Sequence, residues 1–121
     1  KTGEHMVVVI HYHARERVIH PVFGLGIHHN DGTHVTGPNT RFAGLNIPWI
    51  EGEGVVYYDL PAVPLLEGKY LISLSAHDWE AAEMFDYHDR LYPFGILPGS
   101  EEKYGLLSLG GRWRWKASDS S

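Results

Sequence analysis

The sequence predicts an all-β fold, an antiparallel β-sandwich of roughly seven to eight strands. Three observations carry that expectation. Runs rich in β-branched and aromatic residues recur with alternating polarity, as a half-buried strand requires. Clusters of Gly, Pro, Asn and Asp punctuate those runs at the places where a chain must turn. The best helix-forming stretch, Glu80 to Met84, is too short to make more than one turn.

The first strand is read over residues 5–15, with Val8, Ile10, Tyr12 and Ala14 facing a core and Val7, Val9, His11 and His13 facing away. Glu16 and Arg17 are placed in the connection to a central hairpin. That hairpin spans residues 20–40, HPVFGLGIHHNDGTHVTGPNT. Its turn is Asn30-Asp31-Gly32, since Asp-Gly supplies the positive backbone dihedrals of a tight antiparallel connection. Phe23, Leu25, Ile27 and His29 share one side of its first strand, and Val22, Gly24, Gly26 and His28 the other. Two glycines leave that second side nearly bare, and a bare strand face marks the close approach of another backbone or of a ligand. The second strand runs from Thr33 to about Gly37 and stops at Pro38, which has no amide hydrogen to give.

Residues 41–52 read as a bent strand or a loop carrying Trp49, either an anchor or a lid. Gly54 opens a firm strand in which Val56, Tyr58 and Leu60 alternate with Val55, Tyr57 and Asp59. A proline-rich corner follows at residues 61–68. Residues 69–79 alternate again, Tyr70, Ile72, Leu74 and Ala76 inward and Leu71, Ser73, Ser75, His77 and Trp79 outward. Residues 86–96 form a strand whose proline favours an edge. After a linker at 98–103, residues 104–116 are read as a last strand, broken by a glycine pair. Residues 1–116 are expected to make one domain and 117–121 a disordered tail.

With 121 residues the chain is long enough to bury a core unaided. It holds no cysteine, which excludes disulfides, thiolate zinc sites and thiol chemistry and fits a reducing compartment. No run approaches a membrane span, the N-terminus has no basic region followed by an apolar run, and its start in mid-pattern suggests an excised fragment. Fifteen acidic residues stand against ten basic ones, a net charge of −5, and the arginines are scattered. A polyanion thus has no continuous basic stripe to follow, and no nucleic-acid partner is expected. The nine histidines, seven tyrosines and four tryptophans are the distinctive count. They supply flat amphipathic faces and neutral hydrogen-bonding groups, which suit a polyhydroxylated ligand.

Catalytic and metal patterns are weak. His11 and His13 share a strand face, but Glu16 sits one step early for a cupin-like ligand set and no third ligand is evident, so no metal or other cofactor is expected. Ser73 and Ser75 share a face with His77 yet lie in mid-strand, not at the exposed turn a nucleophile needs. Asp86 with Asp89, or Glu51 with Glu53, could form a carboxylate pair, but in an acidic chain they read as solvated charges. A non-catalytic binding surface made of His11, His13, His28, Tyr57, Ser73, Ser75, His77 and Trp79 is the better candidate, on the condition that their strands share one sheet. Arg112 and Arg114, alternating with Trp113 and Trp115, suit either a dimer contact or an anionic group.

The order of motifs resembles the C-terminal domain of Wzt-type ATPase subunits of bacterial polysaccharide ABC exporters. The residues that carry it are Gly3-Glu4, PVFGLGIHHNDG followed by GPNT, GEGVVYYDLPAVPLLEGKYLISLSAHD, FDYHDRLYPFGI and a final tryptophan-bearing segment. The resemblance implies an immunoglobulin-like sandwich that recognises an exported O-antigen-type polysaccharide at a terminal feature. It also implies a homodimer with exchange of the last strand, contact with the transmembrane exporter through the parent chain, and a cytoplasmic position at the inner membrane. No GxxxxGK[ST] phosphate loop is present, so nucleotide hydrolysis would belong to the parent chain. A dimerisation module without glycan affinity is the alternative, and a small metal-dependent enzyme on a cupin-like barrel a third.

Overall fold

The computed structural model describes residues 1–118 and contains, among them, six strands and no helix. The strands are β1 (Met6–Ile19), β2 (Val22–His29), β3 (His34–Thr36), β4 (Trp49–Leu60), β5 (Gly68–His77) and β6 (Met84–Ile96). They form two antiparallel sheets, β1-β4 and β3-β2-β5-β6. The chain changes sheet after β1, after β3 and after β4, so the layers are tied together three times.

Alternation explains the core. Val8 and Ile10 of β1 meet Phe23, Leu25 and Ile27 of β2 and Tyr70 and Ile72 of β5 in one buried cluster. Each such side chain contributes roughly 1.5–3 kcal/mol by leaving water. Tyr70 is wholly buried, and its hydroxyl donates to the Leu66 carbonyl at 2.7 Å, so burial leaves no unmet donor. That burial raises the phenol pKa above its ordinary value. The proline-rich corner is part of this core, since Val63, Leu65 and Leu66 are buried in it. Gly3 N donates to the Val63 carbonyl and Val63 N to that of Glu4, which anchors the corner to the chain's first residues.

The strand boundaries depart most from the sequence expectation at β1 and β4. β1 continues through Glu16 and Arg17 to Ile19, with a register shift between Ala14 and Val18, because β4 begins as early as Trp49 and offers partners for Val18 and Ile19. Glycines 52 and 54 do not break β4. Gly54 lies opposite Tyr12, whose ring occupies the space a side chain would take.

The last strand does not form within 104–116. Only Leu107 pairs, in an isolated bridge with Leu65, and Trp113 is 97 % exposed. A strand holds its place by a hydrogen-bonded neighbour and a buried face, and among the described residues this segment has neither beyond Ser108. This is why six strands are seen where seven to eight were expected. Of the expected tail, Ala117 and Ser118 carry no regular structure and 119–121 lie outside the described residues.

Candidate functional site: a glycine-floored groove

The bare face of the hairpin is the floor of a groove of about 220 Å³. Register makes it so. Gly24 pairs with Ser75 and Gly26 with Ser73, and opposed residues in an antiparallel pair share a face. The missing side chains on β2 and the short ones on β5 leave a trough on the outer side of the four-stranded sheet.

Its walls come from three directions. Beyond β3 the chain runs on along the edge of β2. Leu25 N donates to the Pro38 carbonyl, Thr40 N to that of Phe23, and Gly24 bridges Asn39. Gly37, Pro38 and Asn39 thus form one side. On the other, Tyr87 of β6 stands opposite Ser75. His28 and His34 close one end with ring centres 4.8 Å apart, and His77 lies toward the other.

The hairpin turn is held by Asp31, whose Oδ1 accepts from Thr33 N at 2.8 Å, with the His29 ring 3.1 Å away. Those hydrogen bonds, Thr33's first, hold the Asp31 pKa at about 2. Gly32 takes a φ of 96° there, a conformation that favours glycine. At the closed end, burial lowers the His28 pKa, with Arg90 and His34 acting the same way and Asp89 against them. The His28 Nδ1 is buried and has no hydrogen-bond partner among the described residues. A neutral imidazole tolerates that state better than an imidazolium, which has a second N–H to satisfy.

Four of the eight candidate residues line this groove, namely His28, Ser73, Ser75 and His77. Ser73 is only 5 % exposed. Its Oγ accepts from Arg90 N at 2.8 Å, across a bulge in β6 where Arg90 takes a φ of 53°. Ser73 therefore positions the wall more than it offers itself to a ligand. Trp79 lies past the His77 end, half-buried beneath Arg41. The guanidinium rests 4.7 Å from the ring centre and also donates to the Trp79 carbonyl.

His11, His13 and Tyr57 are elsewhere. They stand on β1 and β4, in the other sheet, with Val9 opposite Tyr57 and His13 opposite Glu53. Tyr57 is 65 % exposed. The condition of one shared sheet fails, so the single continuous surface becomes two faces on opposite sides of the sandwich. Sequence reasoning missed His34, Asn39 and Tyr87. The GPNT segment was legible as a motif, but its course along β2 depends on pairing that periodicity does not encode. A second, wider cleft of about 590 Å³ is lined only by residues between Glu101 and Trp113. It is the hollow of the C-terminal segment folded on itself and has no wall from either sheet.

A family model described as the Wzt C-terminal domain matches residues 1–109. Among solved structures, one titled as the crystal structure of the C-terminal domain of Wzt superposes with a TM-score of 0.82 at 20% identity, covering 95% of this chain and 72% of that one. At that identity the likeness speaks for the fold. No curated protein matches the chain. The sandwich and the match over nine-tenths of the sequence agree, and the chain belongs to the Wzt C-terminal domain family.

Proposed function

We propose that this domain binds an exported polysaccharide without catalysis, in the groove between β2 and β5, as the substrate-selecting module of an O-antigen-type ABC exporter. The observation that carries the reading is the floor of Gly24 and Gly26, which opens room on a strand face otherwise ringed by His, Ser, Asn and Tyr. Those side chains offer neutral donors and acceptors to hydroxyls, and aromatic faces to ring carbons. At ~30 Å³ per water the groove holds the volume of roughly seven waters. That is space for one sugar ring, which favours the end of a chain over its repeating interior. Binding at such an open polar site is expected to be micromolar to millimolar, with selection arising from local concentration at the transporter.

The same reading places the domain on the cytoplasmic side of the inner membrane, joined to an exporter through its parent chain. It further takes the exposed segment after Leu107 as an arm that pairs with a second copy. β1 and β4 each have one edge without a strand neighbour among the described residues, and such edges accept a strand.

A chemical-shift titration with the polysaccharide of the same organism, beside a version lacking its non-reducing end, tests the reading. Shifts at the Gly24, Gly26, Ser75 and His77 amides with the intact chain alone are expected. Silence from both, in a folded dimer, would favour a coupling module without glycan affinity.

A further inference from the structure

The groove's charge, more than its shape, narrows what it takes. Besides the committed Ser73, its polar lining is His28, His34, Asn39, Ser75, His77 and Tyr87, and among the described residues neither a carboxylate nor a Lys or Arg side chain lines it. The nearest cation by its effect on His28 is Arg90, and its Nε lies 3.4 Å from Asp89 Oδ1, so its charge is already met. Tyr87, on the wall, turns its hydroxyl toward that same Asp89 at 3.3 Å. At the other end Asp78, next to His77, keeps its carboxylate at the surface and caps Glu83 N at 3.0 Å. Beyond the lining stand the Asp89–Arg90 pair toward one end and Asp78 and Arg41 toward the other, and the lining itself carries no fixed charge.

We infer that the groove is a subsite for an uncharged sugar ring and rejects rings carrying a carboxylate or phosphate. This deepens the glycan reading and rests on it. A neutral hydroxyl exchanges water for Ser75, Asn39 or a ring nitrogen at little net cost. An anionic substituent in the same place loses hydration and meets no Lys or Arg side chain in the lining to offset that loss. His28 does not supply the missing charge at neutral pH. His28 is held neutral by its burial and by Arg90 and His34, and its buried Nδ1 has no acceptor to stabilise an added proton.

The experiment compares two sets of probes on the folded domain at pH 7.5. One set is the methyl glycosides of glucose, galactose, mannose and N-acetylglucosamine; the other is glucuronic acid, galacturonic acid and glucose 6-phosphate. Amide shifts at Gly24, Gly26, Ser75 and His77 are followed to saturation. At least one neutral glycoside is expected to bind there, with its acidic counterpart at least tenfold weaker, and Gly26→Ala is expected to weaken the neutral sugar. An acidic sugar that binds the groove as tightly as its neutral counterpart overturns the charge selectivity and leaves glycan binding standing. If no member of either set shifts the groove, the single-ring subsite is wrong. If the whole polysaccharide is silent too, the glycan reading falls with it.

Discussion

Gly24 and Gly26 occupy equivalent places on one strand face, yet a methyl group added at each meets different surroundings. At Gly26 it lands 3.7 Å from the His28 ring and from Ser73 Cβ, which is ordinary contact. Gly26→Ala should therefore raise stability by about 0.4–1 kcal/mol through the unfolded chain while filling the groove floor and weakening sugar binding. At Gly24 the methyl lies 2.8 Å from Ser75 Oγ and forces that hydroxyl to turn. Gly24→Ala is expected to lose binding without the gain in urea midpoint. Trp79→Ala removes the platform under Arg41 beside the groove, and a drop in glycan affinity of roughly 1–3 kcal/mol is expected for an aromatic anchor. His28 gives a pH signature. Its folded pKa is lowered below 6.5, so between those values the unfolded chain carries a proton the folded chain refuses. Stability thus falls as pH drops through 6.5 toward the folded value and levels off below it. His28→Gln should flatten the urea midpoint between pH 7.5 and 5, and an unchanged slope would assign the titration to another histidine.

Among the elements, β4 shows how a glycine can strengthen a long strand. A Cβ at Gly54 would fall inside the space of the Tyr12 ring, which also packs on Phe23 at 5.4 Å between centres. Gly54→Ala must displace Tyr12 from the core and should cost about 1–3 kcal/mol in denaturant unfolding. The β2-β3 turn depends on Asp31. Because its folded pKa of about 2 lies below the ordinary 3.8, its stabilising effect is present above that ordinary value and is lost as pH falls through the folded one. Asp31→Asn should bring forward hydrogen exchange at Thr33 at pH 6, with a smaller difference from the parent near pH 2. These local features were legible. The Asp-Gly turn, the bare glycine face and the inward set of β5 all follow from residue type and alternation. The length of β1 was not, because Glu16 and Arg17 are polar and only the early start of β4 gives that stretch partners.

For the whole molecule, the sandwich could be read from the chain but the distribution of its strands could not. Period-two alternation says that His11, Tyr57 and His77 point away from a core; which core face each strand covers is decided by pairing between distant segments. That is why half of the candidate residues converge on one groove and three stand behind it. Likewise Ser73 reads as an outward serine, and only the bulge at Arg90 shows that its hydroxyl is committed. The proposed pairing through the arm makes a prediction at this scale: removal of residues after Leu109 should convert a dimer to a monomer in sedimentation equilibrium while leaving the sandwich folded. An equally dimeric truncated form would rule the arm out. The single bridge between Leu107 and Leu65 also acts as a tether point. Fully stretched, Ser108 to Trp115, the last aromatic of the arm, reach at most about 29 Å from it at ~3.3–3.6 Å per residue. Two copies joined by such arms could not drift farther apart than that leash allows, so the grooves they carry would travel as a pair and present themselves to a glycan within a bounded distance of one another.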